Sequence, residues 1–105
     1  QLSHLGRRTR WDKGDWLPVV SSTHEREPAH RAFPKPAEDW DIARIIKDYA
    51  DAAERMKDAG VDGVEFLCHG HLLDQFMSPL TNHADTAVSA NQHAATTVRL
   101  RNVVC

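Results

Sequence analysis

The segment from Asp39 to Leu67 constrains the fold more than any other, because a long periodic run stops at a glycine and passes straight into a short apolar one. Ile42, Ile45, Ile46, Tyr49, Ala50, Ala53, Met56 and Ala59 recur at intervals of three and four, which places them on one helical face. Arg44, Lys47, Asp51, Glu54, Arg55 and Asp58 lie opposite, as an ordinary solvated face. Asp39 or Asp41 can cap the start, with negative charge at the positive end of the helix dipole, and Gly60 supplies a left-handed stop. Val61 to Leu67 then reads as a strand entered through an Asp-Gly turn, with Val64, Phe66 and Leu67 apolar. An apolar run bounded by turn residues predicts a strand covered on both faces, as in a parallel sheet. Helix, short loop and strand are half of a βαβ unit, so the class is α/β. Gln1–Leu5 supplies the end of the preceding parallel strand. Gln1 and His4 then stand at the carboxyl end of one strand, and His69 and His71 at that of the next. In barrels and open sheets of this class, that edge carries the active site.

The rest of the chain is less regular. Residues 1–38 hold four of the five prolines and keep neither helical nor strand periodicity. A loop of this length means function or disorder. Trp11, Trp16, Leu17, Val19, Val20 and Phe33 favour a segment that covers a surface, and a disordered tail is the competing expectation. A net charge of −2 gives no basic footprint for nucleic acid. No apolar run approaches the ~20 residues of a membrane span. The first residues lack the apolar centre of a signal peptide. Two cysteines, Cys68 and Cys105, make no disulfide framework, so the expected compartment is a reducing cytoplasm. The chain starts at Gln1 rather than a methionine, and a fragment is the simplest expectation.

Several motifs together resemble one family. "QLSHLGRR" is similar to the strand-three signature "QL.H.GR" of the Old Yellow Enzyme family of flavin oxidoreductases. "YADAAERMKDAGVDG" resembles the helix before strand four, and "AGVDGVEFLCHGHLLDQFMSPLTN" resembles strand four with its loop. The forms "HLGRRT" and "GHLLDQF" are similar to the branch near trimethylamine dehydrogenase, 2,4-dienoyl-CoA reductases and related demethylases. The resemblance covers residues 1–82. It implies an internal piece of a (β/α)8 TIM barrel: the end of strand three, a long loop, a helix and strand four. It also implies FMN at the carboxyl-terminal mouth, NAD(P)H or an amine as electron donor, a small-molecule substrate, and frequent oligomerisation of full-length members. Gln1 takes the position that hydrogen-bonds the flavin's pyrimidine edge, which suits an amide able to donate and accept at once. His69 stands where the family binds the substrate's electron-withdrawing oxygen. His71 occupies the place of a proton-donating tyrosine, and imidazole gives up a proton near neutral pH more readily than phenol.

Two departures qualify the resemblance. Phe66 stands where members usually carry a further histidine, so the two-donor clamp on a substrate oxygen is incomplete. After "SPLTN" the family continues with something like "RRTDEYGGSLENR", whereas residues 83–105 read differently. The expectation is a missense tail from a changed reading frame that packs against nothing, and a chain without flavin activity alone. Other readings compete. His69 and His71 could be turn residues, or two zinc ligands of a metal-dependent hydrolase completed by His4, His24 or His30. A non-catalytic interaction fragment is a third class. Cys68 is expected as a buried thiol, Arg7 and Arg8 as an anion clamp or a solvated pair, and Asp74 and Gln75 as loop residues that satisfy backbone groups.

Overall fold

The computed structural model describes residues 1–9, 19–29 and 32–82. Its principal element is helix α1, Asp39–Asp58. Glu38, rather than either expected aspartate, is the N-cap, and Asp41 completes a capping box by accepting the Glu38 N–H at 3.1 Å. The same carboxylate, almost wholly buried, accepts from Lys35 Nζ at 2.9 Å. The helix ends at Asp58 with Ala59 as its C-cap, and Gly60 follows in a left-handed turn with φ +79°. Asp41, Ile42, Ile45 and Tyr49 are buried, but the stripe fades beyond them: Ala50 and Ala59 are exposed, and so is Met56. The periodicity ran the full length of the helix, while the covering neighbours lie only over its first half.

The expected strand at 61–67 is reduced to one parallel bridge, Leu2↔Phe66. Leu2 N–H donates to Glu65 O at 2.7 Å, and Leu67 N–H donates to Leu2 O at 2.9 Å. The parallel pairing of the two segments is as the helix–strand order requires, but burial on both faces is not. Val61 and Val64 are exposed. A strand is completed by its neighbours, and among the described residues only Leu2 pairs with this one.

Residues 72–77, read as loop, form a second helix, α2, Leu72–Met77. Leu72, Leu73 and Phe76 are buried on one side of it. Six residues are too few for a period to declare itself in sequence. Two short strands cross the proline-rich region, β1 (Val20–Ser21) and β2 (Lys35–Pro36), paired in parallel. Pro36 has no N–H to give, so the ladder continues through Ala37 N–H to Ser21 O at 2.8 Å. The described parts of 1–38 are therefore folded against the rest, not a disordered tail. Val20, Ala37, Ile42, Ile45, Tyr49, Leu72, Leu73 and Phe76 form the core, with Leu2, Ile46 and Phe66 against it. Phe66 meets Tyr49 edge-on, with ring centroids 5.4 Å apart. Trp11, Trp16, Leu17 and the tail 83–105 lie outside the described residues.

Candidate active site

The site region is built where residues 1–9 meet the loop and helix that follow Phe66. The bridge at Leu2 continues into a second tie, Leu72 N–H to His4 O at 2.9 Å, which seats the start of α2 beside the first segment. Gly6 then turns the chain with φ +57°, and a Cβ there would lie 2.4 Å from Gln75 Oε1. Only glycine allows both the left-handed backbone and that approach. Gln75, 3% exposed, uses Oε1 to accept the Arg7 N–H at 3.2 Å and the Ser21 hydroxyl at 3.0 Å. It thus satisfies backbone as expected, but from within α2 and across three separate segments. Asp74 accepts the Gly70 N–H at 3.1 Å and so folds the "HGH" turn onto the helix.

His71 is the N-cap residue of α2, and its ring rather than its backbone makes the informative contact: Nδ1 lies 2.7 Å from Ser3 Oγ. Ser3 occupies the variable position of the "QL.H.GR" pattern, so no local signal marked it; the pair is 68 residues apart. His69 is exposed and makes no side-chain hydrogen bond among the described residues. Gln1 is exposed and equally unengaged. It stands one residue ahead of the bridge, in register with the approach to Phe66 rather than with His69. The fold thus brings Ser3 and His71 together, while Gln1 and His69, on adjacent segments, have no side-chain hydrogen bond among the described residues.

His4 is half-buried and engaged with the fold. Its Nδ1 accepts the Gly6 N–H at 3.1 Å, and burial, then the Arg44 charge, hold its pKa below the ordinary 6.5. With Leu2, Ser3, Ile45, Asp48 and Tyr49 it lines a cavity of about 130 Å³. Burial likewise pushes the Tyr49 phenol up. Its bond to the Gly6 N–H gives His4 a structural part in the turn.

Other expectations are corrected. Cys68 is exposed, because the strand around it is open to solvent on that side. Arg7 pairs with Glu25 at 3.5 Å and Arg8 Nη1 donates to Gly70 O at 3.4 Å, so both guanidiniums brace loops. Among the described residues, no group of three histidine, cysteine or carboxylate side chains could hold a metal ion, and the zinc reading of His69 and His71 is not favoured. His30 lies outside the described residues. Among them, no helix is long and apolar enough to cross a membrane.

Comparison with known proteins matches residues 1–86 to the model of the NADH:flavin oxidoreductase / NADH oxidase family. The chain is 75% identical over 85 residues to a probable N-methylproline demethylase of Rhizobium meliloti (strain 1021), covering 81% of this chain and 12% of that protein. It is 47% identical over 83 residues to an N,N-dimethylglycine/sarcosine dehydrogenase of Chromohalobacter salexigens, covering 78% and 12%. It is 45% identical over 82 residues to a multifunctional alkene reductase/demethylase OYE of Caballeronia cordobensis, again covering 78% and 12%. The chain therefore spans only 12% of the length of each of these relatives. The family model covers most of the chain and agrees with the motifs at Gln1–Arg8 and Val61–Asn82: the chain belongs to the NADH:flavin oxidoreductase / NADH oxidase family, to which the Old Yellow Enzyme resemblance pointed.

Proposed function

We propose that residues 1–82 contribute part of the flavin- and substrate-binding mouth of an FMN-dependent NAD(P)H oxidoreductase built on a (β/α)8 barrel. The observation that carries this reading is the parallel Leu2–Phe66 bridge, which joins the two motif-bearing segments side by side while Gln1 and His69 stay exposed, without a side-chain bond among the described residues. The side chains present fit the cofactor: a free amide at Gln1 matches a pyrimidine edge that alternates donors and acceptors. A bound flavin supplies a two-electron hydride carrier. This chain's part is to orient and to handle protons. Gln1 would hold the cofactor's polar edge, His69 would bind the substrate's polar atom, and His71 would give a proton to the carbon next to the one that receives the hydride. The partner is a small molecule, and the free thiol of Cys68 supports a reducing, cytoplasmic setting.

A second reading of the hydride source rests on the relatives, two of which are named for N-methylated amines and a third for demethylation as well as alkene reduction. Phe66, in the place of a second oxygen-binding histidine, favours such a substrate over a clamped carbonyl. In that reading the hydride would pass from an N-methyl carbon of the neutral amine to a bound oxidised FMN as the nitrogen lone pair forms the iminium, and water would hydrolyse the iminium to the demethylated amine and formaldehyde. His69 is suited to take the amine's proton beforehand.

The test is a full-length protein carrying this segment, purified and examined for oxidised-flavin absorbance. Anaerobic NADPH or N-methylproline is expected to bleach it. A colourless preparation that takes up no FMN overturns the reading, and stoichiometric zinc in its place revives the hydrolase. The 105-residue chain alone offers FMN a few hydrogen bonds of roughly 0.5–1.5 kcal/mol each, short of the ~8 kcal/mol of micromolar affinity. No saturable quenching of flavin fluorescence is expected from it.

A further inference from the structure

We infer that Asp74 is a positioning residue that fixes the backbone of the His69–Gly70–His71 turn and, through it, the placement of both histidines. This deepens the proposed function and rests on its assignment of substrate binding to His69 and proton transfer to His71. Glycine enters the left-handed region about as readily as the right-handed one, so Gly70 leaves the turn more than one backbone of similar cost. In this structure its φ is +68°. Both of its backbone polar groups are held by side chains, one from α2 and one from the first segment. Its N–H donates to Asp74 Oδ2 at 3.1 Å, and its carbonyl accepts from Arg8 Nη1 at 3.4 Å. A Cβ on Gly70 would lie 2.8 Å from that same guanidinium nitrogen. Neither bond leaves the direction of donation open, since an amide N–H and a guanidinium can only donate.

The two helices use one position differently. Asp41 and Asp74 each occupy the third place of their helix, from which a carboxylate commonly reaches back to the N–H of the capping residue. In α1 Asp41 does so, taking the Glu38 N–H at 3.1 Å. In α2 the capping residue is His71, and Asp74 reaches past it to the N–H of Gly70, one residue before the cap. That N–H is not among the donors a helix start leaves unpaired, so the bond adds nothing to the helix ladder. The His71 side chain makes no capping bond either. What Asp74 secures is the turn, and the two outer residues of that turn are the site histidines. Negative charge in the first turn of a helix is a separate, stabilising contribution, and a melting temperature reads it.

The experiment uses the full-length, flavin-loaded protein as wild type, Asp74→Ala and Asp74→Asn, with turnover counted per bound flavin. Asparagine keeps an acceptor oxygen in place, whereas alanine removes it. D74A is expected to lower kcat/KM about two- to tenfold, the worth of one hydrogen bond. It is also expected to speed amide exchange in the peptide spanning residues 68–72, followed by hydrogen-exchange mass spectrometry. D74N is expected to stay near wild type in both readings. A residue that only supports the helix would lower the melting temperature and leave turnover per flavin as it was. Wild-type kcat/KM in D74A, unaltered exchange in D74A, or a D74N protein as impaired as D74A each overturns the inference. His69→Ala and His71→Phe keep the two ideas apart. If both turn over like wild type, the roles given to the histidines fail, while exchange in D74A and its rescue in D74N still judge the turn.

Discussion

The two halves of this molecule spend their polar groups differently. At the base, around the start of α1 and along α2, the polar side chains are committed to the fold. Asp41 holds the Glu38 N–H and Lys35, while Gln75 Oε1 holds Arg7 and Ser21. At the exposed edge, by contrast, neither Gln1 nor His69 has a side-chain bond among the described residues. Removing a committed group leaves a buried partner unsatisfied, whereas removing an uncommitted one costs the fold little. The contrast separates what holds the site from what acts in it, and substitutions on each side can break it.

The largest expected effect is on rate. His71→Phe in the full-length holoenzyme should lower turnover about 10²–10⁴-fold, the usual worth of a positioned proton donor, while the melting temperature moves little. Steady-state kinetics beside a thermal melt would check it. Next comes the base. Leu72 is 1% exposed, and Leu72→Ala should cost about 2–5 kcal/mol in denaturant titrations, with Leu73 and Phe76 losing their neighbour. Gly6→Ala should follow at about 1–3 kcal/mol from the left-handed backbone alone, before the clash with Gln75 is counted. If Gly6→Ala proves neutral, the tight approach of the first segment to α2 is wrong.

A smaller effect is read from pH. Because the folded pKa of His4 lies below its ordinary 6.5, folding keeps the ring neutral. The stability it contributes is present above that pH and is lost as pH falls toward the folded value, where a charged Nδ1 can no longer accept the Gly6 N–H. Burial alone would raise the Asp41 carboxyl, but Lys35, the Glu38 N–H and Arg44 together hold it below 3.8. Its contribution is present above 3.8 and is lost only in stronger acid. Denaturation midpoints against pH should therefore fall in two stages, and His4→Phe should abolish the upper one and leave the lower in place.

The same contrast explains what could be read from the sequence. Helix α1 was legible because twenty residues give a period room to repeat. The parallel pairing of Leu2 with Phe66 followed from the order of helix and strand. Helix α2, with Leu72, Leu73, Gln75 and Phe76 buried, was too short to show one. The bonds of Ser3 to His71 and of Arg7 to Gln75 each span 68 residues, and no local pattern encodes them. His69 and His71 were found by motif, but the motif could not say that, among the described residues, only His71 has a side-chain partner. Nor could hydrophobicity alone show that Val61 and Val64 stand exposed, since an apolar side chain states a preference for cover and not its presence.

The most direct test of the division between base and edge is FMN affinity against folding stability for Gln1→Ala, measured on one flavin-free preparation of the full-length protein. The account predicts an unchanged melting temperature and FMN binding about two- to tenfold weaker, the worth of one lost hydrogen bond. A lowered melting temperature with FMN affinity unmoved would contradict it, and would make Gln1 part of the scaffold instead of the site.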